Sequence, residues 1–422
     1  MHAPHLPLPL PAPPLTQHPP ASIQRILNLN APKQPADDDA NSALPSANTP
    51  ILSETGEPIW KVLVFDDFSR DVVSSVLRVN DLRAWGVTIY LSINTTRHMI
   101  PDVPVIYLVE PTPANLHIVT SDLSRSLYSP AYVNFLSSVP RPLLEDFAQQ
   151  TVTSGTAEHI AQIYDQYLNF IVSEPDLFSL GMKGAYGTLN SANVSDQELD
   201  ALVDRIVSGL FSVVVTMGTI PIIRSSKGGP AELVAAKLDR KLRDHILNSR
   251  TNLFSGDQKS SATTSRPVLV LVDRNVDLTA MLSHSWVYQS LIYDVLSMHL
   301  NKITMTVPVD NDNPEKGTKK QSYDLTASDN FWLRNSSLPF PEVAENVSQE
   351  WNKYQEDANE ITKKTGTSSI DDLSGDTSSF AAHLKGAMAA LPELKERKAT
   401  ITMHMEILEA LMRGIKGKGY QA

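Results

Sequence analysis

The stretch RPVLVLVDRNVDLTAMLSHSWVYQSLIYDVL, residues 266–296, sets the fold class of the chain. Its unbroken apolar run, 268–272, has the length and β-branched richness of a strand buried on both faces, as in a parallel sheet covered by helices. The run ends in Asp273, Arg274 and Asp277. Ligands of open α/β sheets sit beyond the carboxyl ends of the strands, so these two carboxylates are candidates for holding magnesium or for acid, base or nucleophilic work. The competing reading is structural. An aspartate at a strand end caps the next helix or pairs with a neighbouring base such as Arg274.

Upstream, strands alternate with helices. Residues 61–65 (KVLVF), 87–91, 105–109 and 132–136 read as strands, with helices at 69–79, 112–123 and 142–150, which makes a small doubly wound α/β domain. A second α/β segment follows, with a strand near 167–172, a long helix at 196–217, a short strand at 221–224 and a helix at 230–248. The polar loop 252–265 then leads into the opening strand. Beyond Ser283 the pattern turns helical and polar: 284–298, a charged loop 309–320, then helices 341–364 and 393–412. The last helix repeats Leu394, Ile401 and Leu408 every seven residues, with Met405 and Met412 in a companion seam, and needs a helical neighbour. The predicted fold class is α/β: two doubly wound parallel-sheet domains plus a mainly helical third lobe.

The opening MHAPHLPLPLPAPPLTQHPP interrupts its leucines with proline, which makes a disordered, polyproline-like tail and not a signal peptide. Residues 23–30 (IQRILNLN) form a short amphipathic helix, too short to stand alone in water, so it needs a docking surface. A Pro/Asp/Ser/Asn-rich linker, 31–50, follows it.

With 422 residues, 41% of them hydrophobic, the chain can bury two or three domain cores. A net charge of −11 disfavours nucleic-acid binding, which draws on clustered Lys and Arg. The absence of cysteine excludes disulfides, thiolate zinc sites and cysteine nucleophiles, and fits a reducing compartment. No window reaches about eighteen apolar residues, so any membrane role is peripheral or through a partner. There is no HExxH and no GxSxG, hence no expected zinc site, nucleophile elbow or cofactor. The first strand-to-helix turn, Asp66-Asp67-Phe68-Ser69-Arg70, lacks the glycines of a dinucleotide fingerprint, and Lys227-Gly228-Gly229 reverses the order of a phosphate loop. Asp66 and Asp67 remain candidates for a phospho-acceptor or magnesium site, or for a cap paired with Arg70.

Interaction surfaces offer a further reading. Leu144, Phe147 and Ala148 fall at i, i+3 and i+4 in one helix, and Ile160, Ile163 and Tyr164 repeat that spacing in what reads as the next helical segment. Two such stripes either form an apolar groove for a partner's amphipathic peptide or pack into the core, and the spacing leaves both open.

Several segments together resemble the SM (Sec/Munc) family of cytosolic regulators of SNARE-driven vesicle fusion, in particular its Sly-type branch acting between endoplasmic reticulum and Golgi. They are IQRILNLN (23–30), WKVLVFD (60–66), DVPVIYLVEPT (102–112), LLEDFAQQ (143–150), YDQYLNFI (164–171), PIIR (221–224), KGGPAE (227–232), LVLVDRNVDL (269–278), HSWVYQ (284–289) and LPFPEVAENV (338–347). The resemblance implies a non-enzymatic, monomeric protein without cofactors, folded as the SM arch. Its parts would be a tail 1–55, domain 1 at 56–155, the first part of domain 2 at 156–280 and the first part of lobe 3a at 281–422. It also implies that the sequence is incomplete at its C-terminal end, since SM chains go on to complete lobe 3a and return strands to domain 2. Similarity places a pocket for the N-terminal peptide of the Golgi syntaxin at Leu144, Phe147, Ala148, Ile160 and Ile163. The expected partners are a syntaxin-type Qa-SNARE and assembled SNARE complexes at ER and Golgi membranes. Against this stands the magnesium-dependent phosphotransfer or hydrolase reading built on Asp273 and Asp277.

Overall fold

The computed structural model describes residues 18–30, 50–53, 56–174, 176–248, 253–254, 266–308, 317–325, 329–365 and 383–419. They fall in two compact units, Met1–Val276 and Asp277–Ala422. The proline-rich tail before residue 18, most of the linker 31–50 and most of the loop 252–265 lie outside the described residues.

The first unit opens with α1 (His18–Leu27), then β1 (Lys61–Phe65), α2 (Asp67–Val76), α3 (Val79–Ala84), β2 (Val87–Ser92) and β3 (Val105–Val109). It continues through α4 (Pro113–Ser124), β4 (Ala131–Phe135), α5 (Arg141–Thr153) and β5 (Ile160–Asp165). The five strands form one parallel sheet in the order β2-β1-β3-β4-β5. Because the chain winds first one way from β1 and then the other, right-handed crossovers put α2 on one face and α4 and α5 on the opposite face. Alternate residues of the central strands, among them Val64, Tyr107, Val109, Val133 and Phe135, pack against Leu116 and Val119 of α4 and Phe147 of α5. The sheet does not stop at residue 155, since β5 is its fifth strand.

The short N-terminal helix has found its dock. Two prolines in its first turn cost nothing there, so α1 begins five residues before the position the pattern predicts. It ends at Leu27, and Leu29 and Asn30 turn back in the left-handed region (φ 56° and 51°). Ile23, Ile26 and Leu27 are fully buried. Lys61, buried at the start of β1, donates from Nζ to the carbonyls of Leu27 (2.9 Å) and Trp85 (2.7 Å), tying down the ends of α1 and α3. Burial pushes its pKa down to about 8. Asn30 donates to Asn134 Oδ1 (3.0 Å) on β4, and Gln166 donates to the same oxygen (2.7 Å). On the other side of the sheet, Arg97 and Asp122 form a buried bidentate pair at 2.9 and 2.8 Å, with the Tyr107 hydroxyl donating to Asp122 at 3.0 Å.

The same unit continues with an antiparallel pair, β6 (Ile171–Glu174) and β7 (Leu177–Ser179), then α6 (Ala185–Asn190) and α7 (Asp196–Met217). A capping box, Ser195 with Glu198, starts α7, and Gly218 in the left-handed region (φ 67°) ends it. The chain then forms β8 (Ile222–Ser225), α8 (Pro230–Asn248) and β9 (Val268–Leu271). The parallel pair β8-β9 carries α7 and α8 against one face, with Leu269 and Leu271 packed on the core of Val207, Phe211, Val234 and Leu238. Its other face is bare: Val268 and Val270 are 57% and 61% exposed. The expectation of a strand buried on both faces is corrected here. The alternate valines are apolar, yet among the described residues no second layer covers them.

The second unit holds α9 (Thr279–Leu282), α10 (Tyr288–Leu296), β10 (Lys302–Pro308), β11 (Thr318–Asp324), α11 (Asn330–Asn335), α12 (Phe340–Thr365) and α13 (His383–Lys418). The antiparallel ribbon β10-β11 takes the last residues of the charged loop, 318–320, and otherwise falls where the pattern assigned no element; alternating Ile303 and Met305 turn inward while Lys302, Thr304 and Thr306 stay outside. Residues 309–316 of that loop lie outside the described residues. The helical neighbour that α13 needs is α12, packed along it in a core with α10. Leu394 and Ile401 are buried and Leu408 is partly buried, whereas Met405 and Met412 remain exposed. His404, fully buried, joins three elements: Nδ1 lies 2.9 Å from the Tyr288 hydroxyl, and Nε2 lies 2.9 Å from Asp329, which caps α11.

Candidate functional site

The carboxylates that end the strands are occupied structurally. Asp273 Oδ1 accepts from the backbone N–H of Ala231 in the first turn of α8 (2.8 Å), and Oδ2 accepts from the Ser226 hydroxyl (2.8 Å). The aspartate thus sits as a tethered anion on a helix N-terminus, where the dipole and free amides favour negative charge. A side chain at Gly229 would press on the Asp273 carboxylate, which would have to shift to admit it. The Lys227-Gly228-Gly229 loop resembles a phosphate cradle in that its anion position is filled by the protein itself. Arg274, the expected partner, is not the residue that holds Asp273. Asp277 accepts from Thr279 N (2.9 Å) at the start of α9, in the other unit.

The first strand repeats the pattern. Asp66 caps α2 through Ser69 N (2.8 Å), and its second oxygen takes Glu110 N (2.7 Å) and Asn115 Nδ2 (2.8 Å). Both oxygens of the candidate phospho-acceptor are therefore committed inside the domain. Burial, and then the nearby Asp66 charge, push the Glu110 carboxyl above its usual range. Arg70 pairs with Asp67 (2.9 Å) and Asp71 (3.2 Å), not with Asp66. Among the described residues no cluster of three acidic or histidine side chains is placed to hold a metal.

The two apolar stripes fall on different kinds of element. Residues 160–165 are not helical but form β5, the sheet's edge strand. In a regular strand Ile160 and Ile163 would point to opposite faces. A bulge prevents this: Ala131 pairs with Ile160, the next pair is Tyr132 with Gln162, and Val133 then pairs with Ile163. Laterally paired residues share a face, so Ile160 and Ile163 both lie on the side of Ala131 and Val133, which is the side α5 covers. Tyr164, paired with Asn134, faces the opposite way.

Within α5, Phe147 is 2% exposed and belongs to the core, with Leu143 and Ile160 packed beside it. Leu144 is 39% exposed, Ala148 is exposed, and Ile163 is 40% exposed. Phe147 and Ile160 thus belong to the core and its edge, whereas Leu144 and Ala148 on α5 and Ile163 on β5 are exposed. Sequence spacing named these residues, but it could not say which are buried and which exposed.

The Sec1 family model matches residues 61–422. The chain is 44% identical over 395 residues to Protein sly1 of Schizosaccharomyces pombe, covering 94% of this chain and 58% of that protein. It is 39% identical over 415 residues to the human Sec1 family domain-containing protein 1, covering 94% and 62%. The crystal structure of Sly1p in complex with an N-terminal peptide of Sed5p superposes with a TM-score of 0.71 at 40% identity, covering 96% of this chain and 60% of that one. The SM protein Vps45, at 19% identity and a TM-score of 0.70, shares the fold. The chain spans about 58–62% of the length of these curated relatives. A family model that runs from β1 to the last residue, and relatives matched along almost all of the chain, leave one conclusion: the chain belongs to the Sec1 family.

Proposed function

We propose that this chain is a SNARE-binding regulator of vesicle docking and fusion in ER-to-Golgi and intra-Golgi transport, and that its α5/β5 groove captures the N-terminal peptide of a syntaxin-type Qa-SNARE. What supports the reading is apolar surface on α5 and the edge strand: Leu144, Ala148 and Ile163 are exposed, and Ile160 packs on the core that holds Phe147. A 40% identical relative, Sly1p, has been crystallised with an N-terminal peptide of Sed5p. Seating one aromatic or branched aliphatic anchor in such a slot contributes about 1.5–3 kcal/mol, enough to dominate a short-peptide interface.

In this reading the protein works by binding and not by catalysis, in the cytoplasm and at ER and Golgi membranes through its partners. The commitment of both Asp273 oxygens and both Asp66 oxygens to hydrogen bonds within the protein, one of each at a helix start, supports that assignment over phosphotransfer chemistry. The peptide-binding domain would comprise 56–155 extended through β5, domain 2 the segment up to about residue 280, and lobe 3a the helices beyond, which would hold SNARE helices and assembled SNARE complexes. The test is a titration of a labelled Qa-SNARE N-terminal peptide into the protein. Leu144→Lys should abolish binding while the circular dichroism spectrum stays unchanged, and wild-type affinity in that variant would sink the assignment.

A further inference from the structure

The run Asp273-Arg274-Asn275-Val276-Asp277, just beyond β9, is anchored at every second residue. Asp273 is tethered to the start of α8, and Asp277 accepts from Thr279 N at the start of α9. Asn275, between them, is held by α6. Its Oδ1 accepts from the Tyr186 hydroxyl (2.6 Å), and its Nδ2 donates to Asn190 Oδ1 (2.6 Å). Asn190 in turn donates from Nδ2 to the backbone carbonyl of Tyr186 (2.9 Å), one turn back in α6. The three residues close a ring in which each amide both gives and takes a hydrogen bond. An aspartate at position 275 would have no donor to offer Asn190, so the ring needs the asparagine. Asn275 is the next-to-last residue of the first unit, and the ring therefore grips the chain where it leaves that unit.

The element that grips is itself weakly held. α6 has six residues, none of them buried, and packs on the neighbouring core through the partly buried Leu189. A helix this short does not persist by itself in water, and Gly184, in the left-handed region (φ 78°), opens it without a side-chain cap. Tyr186 is 38% exposed, and Asn190 and Asn275 lie at the surface, so water competes for the bonds of the ring. We propose that α6 is a releasable latch on the chain's exit from the first unit. Closed, it pins Asn275. Open, it frees the single turn Arg274–Val276 while Asp273 stays on α8, and the fixed exit becomes a hinge at residues 274–277.

The experiment uses the whole chain and reads the opening in two ways: the rate of tryptic cleavage after the exposed Arg274, followed by mass spectrometry, and amide hydrogen exchange over residues 274–277. Native-state cleavage tracks the population of the open form, so both rates report the same equilibrium. Tyr186→Phe, which removes only the hydroxyl, should speed both about three- to tenfold, and Asn275→Ala, which opens the ring completely, about tenfold or more. Since both substitutions act on one ring, the double variant should be no faster than Asn275→Ala alone. Amides at the start of α8 should keep their wild-type exchange, because the Asp273 tether is untouched. Rates within twofold of wild type in Asn275→Ala would overturn the latch. So would single effects that multiply in the double variant, or an equal acceleration at the start of α8, which would mark a general loosening.

Discussion

Removing the tethered anion at the α8 N-terminus is the sharpest test of whether Asp273 is a structural or a chemical carboxylate. Asp273→Ala deletes the acceptor of the Ala231 N–H and the Ser226 hydroxyl, both at 2.8 Å. Hydrogen bonds to a charged partner contribute about 1.5–3 kcal/mol each when buried, and a negative charge at a helix N-terminus adds about 0.3–1 kcal/mol. Asp273 is only half-buried, and water can reach the freed groups, so the sum falls to about 2–3 kcal/mol, felt locally by the start of α8. Hydrogen exchange reads that locality. The Ala231 amide should exchange about 30- to 150-fold faster in the variant, since each 1.4 kcal/mol is tenfold, while amides of β1 and β3 keep their protection. Asp273→Asn retains one acceptor without the charge and should fall between the two. An Ala231 amide unchanged within twofold in Asp273→Ala would refute the cap, and loss of a phosphate-ester hydrolysis in the same variant would restore the enzyme reading.

Further outcomes follow from other buried groups. Lys61 loses its proton near pH 8 in the folded chain but near 10.5 when unfolded, so the unfolded state binds the extra proton between those values and stability rises with pH across the window, by at most about 3 kcal/mol. Lys61→Met should remove that rise in urea titrations from pH 7.5 to 10.5 and speed hydrogen exchange in α1. Asp122→Asn breaks the buried pair with Arg97 and leaves its guanidinium uncompensated, which should cost about 3–5 kcal/mol in chemical denaturation; a loss below about 1 kcal/mol would show the pair to be dispensable. Inserting one alanine between Gln162 and Ile163 should turn Ile163 to the other face and weaken peptide binding at least tenfold, and an unaffected affinity would contradict the place given to Ile163 in the proposed groove.

What the sequence could reveal depended on how many layers cover an element. The β1 and β3 runs, buried in full, read correctly because helices lie on both faces of the sheet's centre. The similar-looking run at β9 misleads, since alternate valines say nothing about whether a second layer is present. Residues 160–165 read as helix because a bulged strand brings positions three apart to one face, as a helix does. The start of α1 was hidden by prolines that act as breakers inside a helix but not in its first turn. The ribbon β10-β11 was obscured by its lysines and threonines, which lie on the exposed side. Leu144, Phe147 and Ala148 were legible from spacing as one helical stripe, whereas which of them is buried depends on tertiary packing.

The central claim is that the α5/β5 groove holds a Qa-SNARE N-terminal peptide, and a single titration addresses it most directly. The wild-type chain and Leu144→Lys would be titrated side by side with the labelled N-terminal peptide of Sed5p. Saturable binding by the wild type, lost in a variant whose circular dichroism spectrum is unchanged, is the predicted result. Equal binding by the two proteins would place the peptide elsewhere and contradict the account.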